Sequence, residues 1–158
     1  MKSRGSFFEY AQERDDDLMR AYLEQISLCR NIYLPRVFNA VVKMPSKRFW
    51  VSPERASIVI AEMSRGNKLP KMRPTKRAMY EEIYRRVMLL QSAHPEESLS
   101  QLVFQVVQEP APQFYLTAGS AKVIICKARK FYFKRRLRRF QSPHRANEND
   151  NKEVWEPR

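Results

Sequence analysis

The fifteen residues CKARKFYFKRRLRRF, Cys126 to Phe140, carry eight lysines and arginines, four aromatics and no acid. Cations at this density suit one kind of chemistry. They neutralise closely spaced phosphates and release the counterions held there, while Phe and Tyr stack on bases or pack at a groove edge. Stepping about 100° per residue around a helix, Ala121, Ile124, Ile125, Ala128, Phe131 and Tyr132 share one apolar face. Arg135 and Arg139 then fall on that same face. Burying several unpaired guanidinium groups is very costly. The core-facing stripe is therefore expected to end near Tyr132, and the helix to leave the protein body. Lys127, Lys130, Lys134, Arg135, Arg136, Arg138 and Arg139 are the expected phosphate contacts, positioning the partner without reading sequence.

A second concentration of charge is RGNKLPKMRPTKR, Arg65 to Arg77, with six basic residues, no acid, two prolines and a glycine. It reads as a basic connector, with Lys68, Lys71, Arg73, Lys76 and Arg77 as further contacts. Over the 158 residues the net charge is +13 and the pI about 10.1, which points to a polyanionic partner. A membrane surface is a weaker fit than nucleic acid, because an interfacial helix needs a cleaner apolar face.

Other chemistry lacks its residues. His94 and His144 adjoin prolines, with no cysteine or acid at metal-ligand spacing. The chain has three glycines and no Gly-rich phosphate loop. No Ser or Cys lies in a nucleophile elbow. Asp15, Asp16 and Asp17 sit near a helix start, where carboxylates complement the helix dipole. Cys29 and Cys126 read as buried thiols of a reducing compartment. No enzyme, metal or cofactor is expected. With no signal peptide or apolar span evident, a cytoplasmic protein without membrane insertion is expected.

The elements that would position these residues follow from a repetition. Leu34 to Ile60 aligns with Leu99 to Ile125 without a gap, at a spacing of 65. Val41/Val106, Val42/Val107, Pro45/Pro110, Phe49/Phe114, Ala56/Ala121 and Ile60/Ile125 are identical pairs. An internal repeat of this kind signals a repeated structural unit. Each copy predicts three helices. The first, about Arg14 to Arg30 or Thr75 to Gln91, repeats apolar residues such as Leu18, Tyr22 and Ile26 at helical spacing. The second carries Leu34, Val37, Phe38, Val41 and Val42, matched by Leu99, Leu102, Val103, Val106 and Val107, with Ser98 as an N-cap. Pro45 and Pro110 stop it. Phe49-Trp50 and Phe114-Tyr115 pin the following turn in the core. Ser52 or Thr117 caps a third helix, with Pro53 at its first position, and Gly66 ends the first copy's third helix.

The words PSKRFWVS and PAPQFYLT resemble a PAPxFY(V/L)(S/T) motif of small bacterial proteins, over about twenty residues per copy; the resemblance implies no catalytic activity. The layout of two helices and a turn, braced by a preceding helix, also resembles a helix-turn-helix unit. That resemblance implies contacts near the third-helix starts: Lys47, Arg48, Arg55 and Ser57, and Gln113, Ser120 and Lys122.

The expected protein is thus all-α, one small bundle of two duplicated three-helix units with a basic C-terminal helical extension. Its parts are an N-terminal arm (1–13), a first repeat (14–66), a basic connector (67–74), a second repeat with the extension (75–140) and a polar tail (141–158) in which Trp155 stands alone. The expected function is nucleic-acid binding, to double-stranded DNA first. The alternative is an interaction module for RNA, the ribosome or an acidic protein.

Overall fold

A computed structural model describes residues 10–141, with side chains as far as Arg138. The chain is all-helical over these residues: α1 (Ala11–Leu28), α2 (Leu34–Val41), α3 (Pro53–Ser64), α4 (Pro74–Ala93), α5 (Leu99–Gln108) and α6 (Ala118–Gln141). The first helix starts at Ala11, so the last residues of the expected arm are helical; most of that arm, and the tail with His144 and Trp155, lie outside the described residues.

The start signals act locally as expected. The Ser52 hydroxyl accepts the Arg55 N–H at 3.2 Å, with Pro53 at the first position of α3. Ser98 and Gln101 cap α5 reciprocally. The Thr117 hydroxyl accepts the Ser120 N–H at 3.1 Å at the start of α6. Gly66, at φ +93°, ends α3. Its N–H and that of Asn67 donate back to the Met63 and Glu62 carbonyls, the left-handed cap that glycine makes without strain. Phe131 lies 65 residues on from Gly66, and α6 continues through it.

The packing departs from expectation in one decisive respect. α2 and α3 do not touch. α3 packs on α4 and α5, and α6 packs on α1 and α2. One core therefore gathers Leu18, Tyr22, Val37, Phe38, Val41, Phe114, Ala121 and Ile125. The other gathers Phe49, Val59, Ile60, Tyr80, Ile83, Val87, Val103 and Val107. The third helix of each expected repeat, 14–66 and 75–140, thus packs on the first two helices of the other. The helix-turn-helix layout is corrected, because its two helices must pack on each other.

The cause lies in the segments after Pro45 and Pro110. Neither turns back. They run past one another and pair at Ser46 and Ala111, whose N–H groups donate to each other's carbonyls at 3.0 and 3.1 Å. On either side, Phe49 N–H donates to Val107 O at 3.2 Å and Phe114 N–H to Val42 O at 3.0 Å. These two bonds join the same pair of positions shifted by 65 residues. Phe49 and Phe114 are buried, one in each core, while Trp50 and Tyr115 are half-buried beside them.

Asp17 fastens the crossing. Rather than complementing the first turn, it is fully buried two turns into α1. It accepts the Lys47 N–H at 2.8 Å and the Arg20 guanidinium at 2.7 and 2.9 Å. Arg20 also reaches Pro45 O at 3.2 Å. Sixty-five residues on, Glu82 takes the place of Asp17, but Pro112 stands where Lys47 does and has no N–H to give. Glu82 instead accepts Arg85 at 2.7 Å and Arg86 at 2.8 Å. Arg86 spans to Glu109 at 3.1 Å and Pro110 O at 3.0 Å, with its guanidinium 5.1 Å from the Phe49 ring centroid.

The hydrogen bond from Arg85, and then that from Arg86, hold the Glu82 carboxyl at about 2, below its ordinary 4.5, against a burial effect of opposite sign. A folded-state value below the unfolded one stabilises the protein at pH above about 4.5, and the contribution is lost as pH falls toward about 2. Glu82→Gln is expected to be less stable than wild type at neutral pH. Urea titrations across the acid range should show the gap between the two closing by pH about 2.

Candidate nucleic-acid interface

α6 begins in the core and ends outside it. Ala121 and Ile125 are buried, and Ile124, Ala128 and Arg129 half-buried. From Lys130 to Arg138 every side chain is exposed. The apolar stripe therefore ends about a turn earlier than expected: Phe131 is 64% and Tyr132 61% exposed. Arg129 marks the boundary, its guanidinium 3.4 Å from the Tyr22 hydroxyl and 5.8 Å from that ring's centroid. Cys126 is exposed and Cys29 half-buried, which corrects the expectation of two buried thiols.

Among the expected contacts, Lys122, Lys127, Lys130, Lys134, Arg135, Arg136 and Arg138 are exposed along α6, whose sequence holds no acid. The Arg139 side chain lies outside the described residues. Lys68, Lys71, Arg73 and Lys76 are exposed around the connector. Arg77 is not among them. It is half-buried on α4 and donates to Pro70 O and Met72 O at 3.4 and 3.0 Å, tying the connector down.

The contacts expected from a helix-turn-helix layout are mostly occupied within the protein. The Arg48 guanidinium lies over Trp50 and Tyr10, 5.5 and 5.8 Å from the ring centroids, and donates to Phe49 O and Val51 O. The Ser57 hydroxyl donates to Pro53 O at 2.8 Å. Arg55 is exposed, and its charge opposes the upward pKa shift that burial gives the Tyr80 phenol. Gln113 is half-buried in the crossing, and the Thr117 hydroxyl donates to that of Ser120 at 2.9 Å. Lys47 is exposed, its backbone held by Asp17.

Two features escaped the sequence. His94, Glu96 and Glu97 place ligand atoms within 4.8 Å of one another in the turn before α5. They are exposed or half-exposed, and Glu97 already accepts Gln105 at 2.8 Å. The signal was present, since His94 and Glu96 lie two residues apart. The second is Arg129, which the charge run hid among its neighbours although it meets Tyr22. No helix among the described residues is long and apolar enough to cross a membrane. Comparison with protein-family models, with curated proteins and with solved structures finds no match to this chain.

Proposed function

We propose that this protein binds nucleic acid through the phosphate backbone, using the second half of α6 as the contact element and the two interlocked cores as its mount. The observation that carries this is the run Lys130 to Arg138. Every residue in it is exposed, and its sequence mixes cations with aromatics and contains no acid. We read the two halves as copies of one unit, related by the 65-residue shift seen in the crossing bonds. On that relation Ser64, the end of α3, corresponds to Arg129. The helix of the first copy stops there, so the helical residues of α6 beyond Arg129 extend past the shared unit. The cations lie all round the helix axis, which suits a partner with phosphates on more than one side better than a flat anionic surface.

Duplex DNA was favoured in the sequence by the helix-turn-helix layout. With α2 and α3 apart, charge supports nucleic acid in general. The test is binding to random-sequence duplex DNA, single-stranded DNA and RNA at about 50 and 200 mM salt. A protein making six to ten phosphate contacts should lose roughly 10³-fold or more in affinity over that range. Absence of binding at the lower salt would sink the proposal, and retention by an acidic protein column alone would replace it.

A further inference from the structure

The aromatics of α6 are as unusual as its cations. Phe131, Tyr132 and Phe133 are consecutive, and each is more than half exposed, Phe133 the least at 52%. Consecutive residues point about 100° apart on a helix, so the three rings fan through more than half of the circumference. A major groove about 12 Å wide just admits a helix with its side chains. With Tyr132 toward the base edges, Phe131 and Phe133 would each face a sugar-phosphate wall, where a phenyl ring offers no hydrogen-bond donor.

The rings are instead arranged for bases that are free to turn. Lys127, Phe131 and Arg135 follow one another at four-residue steps, a cation one turn before and one turn after a ring. On another side, Phe133 and Cys126 line a hollow of about 380 Å³ with Arg129, Lys130 and Lys134. Its lining is almost wholly apolar: the ring, the thiol and the aliphatic stems of the three basic residues. The Arg129 tie to Tyr22 fixes one wall to the protein body.

Resting on the nucleic-acid reading above, we infer that α6 takes single-stranded or unpaired segments, with a base stacked on Phe133 in this hollow and neighbouring bases on Phe131 and Tyr132. The cations on either side of the rings hold the flanking phosphates. Stacking of this kind tolerates any base, because every base has a π-face.

The test uses the full chain and three probes of equal length: oligothymidylate, oligouridylate and a mixed-sequence DNA duplex. The variant combines Phe131→Leu, Tyr132→Leu and Phe133→Leu. Leucine keeps helix propensity and apolar bulk but has no π-face. Circular dichroism should be unchanged, since the three side chains are exposed. Wild type is expected to prefer the single strands, and the variant to lose roughly tenfold or more on them while duplex affinity stays within about twofold. Tighter binding of oligouridylate would assign RNA, and of oligothymidylate DNA; either result upholds stacking. Unchanged single-strand affinity in the variant, or an equal loss on the duplex, would overturn the inference and leave phosphate binding standing. Failure of wild type to bind all three probes would remove both readings.

Discussion

Phe49→Ala should destabilise the protein by about 3–5 kcal/mol, and it should loosen the core that Phe49 does not enter. The first part follows from burial. Phe49 is 1% exposed among Val59, Ile60, Tyr80, Ile83 and Val107. Removing a ring from such a site forfeits its transfer free energy and leaves a cavity. The Arg86 guanidinium over the ring loses its partner as well. The second part follows from topology. α6 closes the α1-α2-α6 core, and the segment leading to α6 is threaded past the one carrying Phe49. Amide exchange under native conditions reads both cores at once. Protection at Ile83 and Val87 in the damaged core, and at Ala21 and Tyr22 in the other, should fall by the same factor, roughly 10² to 10³ or more. If Ala21 and Tyr22 kept wild-type protection, the cores would be independent units and the crossing merely a linker.

How much of this was legible depended on the range of the interaction. Ser52, Pro53, Ser98, Thr117 and Gly66 act on backbone groups within four residues, and the sequence placed the helix boundaries they control to within a few residues. The buried positions of α2 and α5 also followed from their spacing. Which helix packs on which did not. A periodic apolar face says that a helix has a partner, not which one: nothing in the spacing of Val59 and Ile60 distinguishes the α1-α2 surface from the α4-α5 surface. The choice is made by backbone pairing of Ser46 with Ala111, which no side chain announces. Asp17 was misread for a related reason: within a run of three aspartates nothing local distinguishes the one that meets an N–H thirty residues away. The α6 run was legible because charge cannot be buried cheaply whatever the fold. The end of its apolar stripe was placed too late, because ring hydrophobicity does not say whether another helix is there to cover it.

The combined substitution Lys130→Gln, Lys134→Gln and Arg135→Gln should separate binding from folding. All three side chains are exposed. They lie beyond Arg129, where α6 parts from α1 and α2, so Gln there removes charge and little packing. Stability to urea is expected to change by no more than about 0.5 kcal/mol per site. Each lost phosphate contact should lower the slope of log affinity against log salt by about 0.7 on single strands and about 0.9 on duplex. Three contacts together then amount to a loss of roughly 10³-fold at about 50 mM salt, shrinking toward nothing near 1 M. That salt dependence is what distinguishes a phosphate contact from a packing contact. A loss of the same size at every salt concentration would mean that the substitutions had disturbed the helix or a surface that a partner packs on. An unchanged slope would mean that the phosphates are held elsewhere, and the next cations to replace would be Lys68, Lys71 and Arg73 on the connector, which are exposed as well. Because Lys130, Lys134 and Arg135 are all exposed, a loss of affinity with a wild-type urea midpoint can be assigned to the interface alone.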